Sequence, residues 1–128
     1  MRVLLDTQAF LWWVFADSRL SRRASKVLAD EDNDCLLSMA SVWELAIKAA
    51  SGKIKLNEPI AQFIPSELRA NGFSLLDIRF AHVSAIEQLP QHHRDPFDRL
   101  IVAQAIVEDL PVMSVDSALD SYEIERIW

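Results

Sequence analysis

Glycine and cysteine are nearly missing from this sequence, which has two glycines, Gly52 and Gly72, and one cysteine, Cys35, in 128 residues. A single thiol excludes an internal disulfide framework and any multi-cysteine zinc or iron–sulfur site built by this chain alone. The compartment this predicts is a reducing cytoplasm. Two isolated glycines exclude a glycine-rich loop that cradles phosphate. Long apolar runs are missing too. The longest stretch free of Asp, Glu, Lys and Arg reaches only from Thr7 to Ala16, far short of the ~20 apolar residues that span a bilayer. Asp6 breaks the first apolar run after three residues, which argues against a signal peptide. Basic residues are outnumbered, 13 Lys and Arg against 19 Asp and Glu, for a net charge of −6. Protein charge alone therefore does not hold a phosphate backbone, and a nucleic-acid role would need metal ions gathered by clustered carboxylates.

What is present is a globular composition, 51% hydrophobic and 25% charged, with no repeat, linker or low-complexity segment. The length fits one domain over residues 1–128 and is too short for a second. Val3-Leu4-Leu5 reads as a buried strand that Asp6 turns into a helix over Ala9 to Phe15. A helix from Leu20 to Ala29, opened by Ser18 or Ser21, precedes a strand at Cys35 to Leu37. Val42, Leu45, Ala46 and Ala49 mark one face of a helix that Gly52 ends. Glu58 to Ala70 reads as helix around Pro59 and Pro65, Phe73 to Ile78 as strand, and Ala81 to Gln88 as a short helix. Asp95 as N-cap and Pro96 in the first turn open a buried helix, Leu100 to Val107, apolar nearly all round except for Gln104. Pro111 to Val115 and Ile124 to Ile127 read as the last strands. This alternation predicts a parallel α/β sheet with helices on both faces.

In such a sheet, ligands bind beyond the carboxyl ends of the strands. Two predicted strands end there in an aspartate, Asp6 and Asp116, and Asp98, in the first turn of a buried helix, is placed to join them. Each acid also has a structural explanation. Asp6 and Asp116 suit turns, Asp98 stands three residues after the cap Asp95, and Glu44 fits a capping box with Ser41 or an ion pair with Lys48. Four carboxylates on one edge would take Mg²⁺ or Mn²⁺, hard cations that share oxygen ligands with phosphates.

At these residues the sequence resembles a family. The blocks are Leu4-Leu5-Asp6-Thr7-Gln8-Ala9-Phe10-Leu11-Trp12-Trp13, Leu37 through Lys48, His92-His93-Arg94-Asp95-Pro96-Phe97-Asp98-Arg99-Leu100-Ile101-Val102-Ala103-Gln104-Ala105, and Ser114-Val115-Asp116. Their order and spacing are similar to those of PIN-domain ribonucleases, specifically the VapC toxins of bacterial type II toxin–antitoxin modules. The resemblance implies a three-layer α/β/α sandwich with a central, mainly parallel sheet, and a Mg²⁺- or Mn²⁺-dependent endoribonuclease. Its acidic quartet would fall on Asp6, Glu44, Asp98 and Asp116; Thr7, Ser114, Asp95, Arg94 and Arg99, close to these acids in the chain, are supporting candidates. It also implies a VapB antitoxin that plugs the site, RNA as substrate, a homodimer or larger assembly with the antitoxin, and promoter DNA reached only through the antitoxin. No membrane partner is expected. Ser114 stands where such proteins often carry Thr, and its hydroxyl retains the hydrogen-bonding capacity.

Competing readings are a PIN nuclease that is not a toxin, a phosphohydrolase or phosphotransfer domain with an aspartyl nucleophile at Asp6, and a non-catalytic domain whose acids are caps. A zinc reading of His92-His93 lacks a third ligand at useful spacing. Arg94 and Arg99 suit RNA phosphate, a surface charge or an ion pair. Trp12, Trp13, Trp43 and Trp128 are predicted to be buried rather than stacked on bases. Phe10, Trp12, Trp13 and Phe15 together are more apolar bulk than one small domain hides entirely, which predicts an interface on that helix.

Overall fold

A computed structural model describes all 128 residues. Five strands form one sheet in the order β3-β2-β1-β4-β5, and every pairing is parallel. The strands are β1 (Arg2–Leu5), β2 (Asp34–Ser38), β3 (Ser74–Leu76), β4 (Val112–Met113) and β5 (Arg126–Ile127). Helices α1 (Thr7–Val14) and α2 (Arg22–Ala29) link β1 to β2, and α3 (Met39–Ala50) and α4 (Ile60–Asn71) link β2 to β3. Helices α5 (Phe80–Ile86) and α6 (Pro96–Glu108) lead to β4, and a 3-10 turn, Ser117–Ser121, leads to β5. None of these helices is long and apolar enough to cross a membrane.

Strand alternation divides the core in two. Val3 and Leu5 face a cluster with Phe10, Leu28, Leu37, Leu45, Phe63, Met113 and Ile127. Leu4 points the other way, into a cluster with Leu36, Leu100, Val102, Val112, Leu119 and Tyr122. The result is the predicted α/β/α sandwich. Gln104, the polar exception in α6, is fully buried and satisfied: it accepts from the Ser38 hydroxyl and donates to the Asp77 carbonyl at 3.2 Å.

Several expectations change. Helix α3 begins at Met39 with Ser38 as its cap, the side chain accepting from Ala40 N–H at 2.9 Å. Ser41 lies inside that helix and forms no capping box with Glu44. The apolar bulk on α1 is mostly absorbed by the fold: Phe10 and Trp12 are buried, Trp13 is half-buried with its indole N–H on Asn71, and only Phe15 stands out at 49% exposed. Trp43 reverses in the opposite sense, because 53% of it faces solvent.

Chain order runs outward from β1 to β2 and β3, then returns to β4 on the other side of β1. Strands β1 and β4 therefore flank the topological switch point, where the loops diverge to opposite faces and leave a crevice at the carboxyl edge. Asp6 leaves β1 there, with its N–H on the Met113 carbonyl at 3.1 Å, and Ser114 to Asp116 leave β4 beside it.

Candidate active site: an acidic cleft at the switch point

Asp6, Asp98, Ser114 and Asp116 line one cleft of about 140 Å³, together with Gln8, Ile101, Val115 and Leu119. Each acid arrives by a different local device. Asp6 caps α1, accepting from Ala9 N–H at 2.7 Å. Asp116 caps the 3-10 turn through Ala118 N–H at 3.0 Å. Asp95 caps α6 through Phe97 N–H at 2.8 Å, and thereby releases Asp98, in the same first turn, from capping duty. Helix α3 carries Glu44 in from the side.

The electrostatics separate these carboxylates into two kinds. Burial drives Asp6 up to a pKa of about 6; hydrogen bonds from Ser114 and Ala9 pull it back, while the charges of Asp116 and Glu44 add to the rise. Asp98 also stands at about 6, raised by burial first and then by the charge of Asp95, with smaller contributions from Glu44 and Asp6, while neighbouring His93 pulls it down. No hydrogen-bond donor offsets it. Asp116, by contrast, is held below the usual range, chiefly by a hydrogen bond from His93.

That bond belongs to a short relay. His93 Nε2 lies 2.7 Å from Asp116 Oδ2, and His93 Nδ1 lies 2.9 Å from the Tyr122 hydroxyl. An ionised carboxylate only accepts, so Nε2–H donates to Asp116, while Nδ1 and the Tyr122 hydroxyl share the second hydrogen bond. The imidazole also stacks on the Tyr122 ring at 5.5 Å and 22°. Glu44 is anchored differently. Its Oε2 pairs with Lys48 Nζ at 2.7 Å, and its Oε1 is 2.7 Å from the Thr7 hydroxyl. Thr7 has one proton to give and is also 2.8 Å from Ser41 Oγ; it donates to the carboxylate, and Ser41 donates to Thr7.

A hard divalent cation suits this donor set, because positive charge among Asp6, Asp98 and Asp116 would relieve the repulsion and burial that raise two of them. The carboxylates do not stand as a closed chelate, and no three His, Cys, Asp or Glu side chains converge at ligating positions. Glu44 is turned to Lys48 and Asp116 to His93, so both would rotate to complete a shell.

A family model for the PIN domain matches residues 3–125. Ribonuclease VapC22 of Mycobacterium tuberculosis is 30% identical over 130 residues, an alignment that covers 98% of each chain. The chain belongs to the PIN-domain family. A shorter match, 40% over 58 residues, reaches Ribonuclease VapC16 of the same organism and spans 45% of this chain and 41% of that protein. Among solved structures, VapBC2 from Rickettsia felis, determined with a promoter DNA fragment, aligns over all of both chains with a TM-score of 0.72 at 16% identity. FitAcB from Neisseria gonorrhoeae aligns over 97% of this chain and 95% of its own with a TM-score of 0.65 at 18% identity. At such identities the likeness is one of fold.

Within this PIN domain the remaining sequence candidates fall in different places. Ser114 is fully buried under Asp6 and donates toward its carboxylate. Arg94 is exposed. Arg99 turns away from solvent to three main-chain carbonyls, Pro90 at 3.1 Å, Ile86 at 3.3 Å and His93 at 3.5 Å. It anchors the loop that carries His93, a role sequence inspection did not consider. The His93–Asp116 contact was missed as well, because no spacing rule links residues from separate elements; the one signal was the nearness of His93 to the Asp95 cap.

Proposed function

We propose that the chain is a Mg²⁺- or Mn²⁺-dependent endoribonuclease and the toxin of a VapBC-type module, with residues 1–128 working as one PIN domain in the cytoplasm. The observation that carries this reading is the meeting of Asp6, Asp98 and Asp116 in one cleft at the switch point of the sheet. Full-length similarity to a VapC ribonuclease, and a fold shared with chains of VapBC and FitAB complexes, support it.

Asp6, Glu44, Asp98 and Asp116 are the residues that would hold the cation. When bound, it supplies positive charge against the scissile phosphate and acidifies a water for attack on phosphorus. The chain's own residues do the positioning. Thr7 tethers Glu44 and the Tyr122–His93 relay tethers Asp116 in positions from which each would rotate toward the cation, and the Asp95 cap keeps Asp98 in the first turn of α6. Lys48, half-exposed on Glu44, and Arg94, exposed in the loop that precedes the Asp95 cap, suit RNA phosphates. A VapB-type antitoxin would silence the cleft by seating an Arg or Lys among the carboxylates, where charge-assisted hydrogen bonds are strong. Promoter DNA would be contacted through that antitoxin, and a homodimer within the larger assembly completes the proposal.

Purified protein is expected to cut single-stranded RNA with Mg²⁺ or Mn²⁺ and to stop in EDTA. Expression of the chain alone should arrest growth, Asp6→Ala should abolish the arrest, and the product of the neighbouring gene should rescue the active chain. Undiminished cleavage in EDTA by nuclease-free preparations overturns the metal dependence. Harmless expression at a verified level overturns the toxin role.

A further inference from the structure

Trp43 is the one tryptophan the fold leaves in water. Trp12 is buried and tilts against Trp128 at 5.8 Å, and Trp13 is tied to Asn71. Trp43 is 53% exposed and meets the half-buried Phe97 edge to face, with centroids 4.9 Å apart at 85°. An edge-to-face contact occupies one face of one ring and leaves the other open. Position gives the pair its meaning. Trp43 directly precedes Glu44 on α3 and Phe97 directly precedes Asp98 on α6, so the contact between the two rings joins these helices within one turn of both acids.

We infer that Trp43, propped by Phe97, is a stacking platform for an unpaired base of the RNA next to the scissile phosphate. This rests on the ribonuclease reading above and deepens it, giving the cleft a binding subsite for single-stranded rather than duplex RNA. The patch is small. Trp43 and its neighbour Ile47, 49% exposed one turn along α3, offer about 200 Å² of apolar surface, enough for one base but far below the ~800 Å² per partner of a stable protein interface. Stacking on an aromatic ring tolerates any base, because every base has a π face, and it supplies affinity that a chain of net charge −6 lacks. Lys48, paired with Glu44 one turn from Trp43, suits a phosphate beside the stacked base.

The test uses a fluorescent single-stranded RNA of mixed sequence whose cleavage position has been mapped with the wild-type protein, and a set of the same oligonucleotides with one abasic ribose at each position around the cut. Trp43→Ala should raise KM about five- to thirty-fold with kcat changed less than about twofold, and Trp43→Phe should recover most of the loss. One abasic position beside the cut should raise the wild-type KM by a similar factor and leave Trp43→Ala no worse than on intact RNA. That non-additivity marks the partner base, and it needs no variant to be well folded in its wild-type half. Equal KM for wild type and Trp43→Ala, or a wild type indifferent to every abasic position, overturns the platform while leaving the ribonuclease reading in place. A Trp43→Ala protein with unchanged kinetics that dissociates a wild-type dimer in sedimentation assigns the patch to a second copy and overturns it too. Failure of the wild type to cut any RNA with Mg²⁺ or Mn²⁺ overturns both readings.

Discussion

Replacing Asp6 with Asn would remove one charge from the cleft and keep its shape. The Asp6 side chain accepts from Ala9 N–H at 2.7 Å as the cap of α1, and an Asn carbonyl caps a helix about as well. What the change abolishes is the cost of keeping the carboxylate ionised, since its pKa stands at about 6 against an ordinary 3.8. At about 1.4 kcal/mol per unit the full displacement corresponds to about 3 kcal/mol. Asp6 retains partial contact with water and shares its rise with neighbouring acids. The expected gain in metal-free protein at pH 8 is therefore about 1–2 kcal/mol, a Tm higher by roughly 4–8 °C. The pH dependence fixes the sign. Between pH 4 and 6 folded wild type holds a proton that the unfolded chain has released, so its stability rises as pH falls from 7 toward 4. The advantage of Asn should accordingly shrink through pH 6 and be gone near pH 4. Thermal melts and urea titrations of both proteins in EDTA at pH 8, 6 and 4.5 measure it. An Asp6→Asn protein no more stable than wild type at pH 8, or a difference that ignores pH, refutes the reasoning.

Mg²⁺ added to the same melts should raise the Tm of wild type and raise that of Asp6→Asn much less, because binding to the folded state stabilises by mass action. Asp98→Asn should keep the fold and lose RNA cleavage by two orders of magnitude or more, whereas Asp95→Ala should cost about 1 kcal/mol in urea unfolding through loss of the α6 cap. His93→Ala should lower kcat and, in NMR titration of the metal-free protein, return the Asp116 carboxyl toward its ordinary pKa from below. Thr7→Val, with Glu44 then tied only to Lys48, should weaken metal binding in calorimetry while leaving the melting temperature within a few degrees.

Much of this architecture is legible in the sequence because short apolar runs closed by turn residues are too brief for helices and suit buried strands. Val3-Leu4-Leu5 and the stretch from Val112 to Val115, of which Val112 and Met113 form β4, are such runs, and the acids that follow them land at one edge as soon as the sheet is parallel. The errors have local causes. Two serines, Ser38 and Ser41, compete as the cap of α3, and helical periodicity cannot choose between them; the end of β2 does, by placing Ser38 at the turn. The Ser117–Ser121 turn is too short to show any period. Trp43 misled because hydrophobicity is a one-way rule, under which a large apolar residue on a helix next to core positions need not itself be covered. Contacts between residues remote in sequence were beyond local reading altogether. His93 on Asp116 and Thr7 on Glu44 depend on how loops from different strands meet, and spacing carries no record of that.

Capping and chemistry stand as rival explanations of these acids only while the chain is a string. In the fold, Asp6 and Asp116 do both, and the useful question is which property of each side chain folding requires. A helix start needs an acceptor oxygen, which Asn, Ser or Thr supplies without charge. For Asp116 the charge is also accounted for, because His93 donates to it and holds its pKa down. For Asp6 and Asp98 the charge works against the folded state: both are raised to about 6, by burial first and then by neighbouring carboxylates, and no hydrogen bond to Asp98 offsets the rise. Ionised carboxylates that folding does not need, kept side by side at the switch point of a parallel sheet, are what a cleft built to receive a cation would hold.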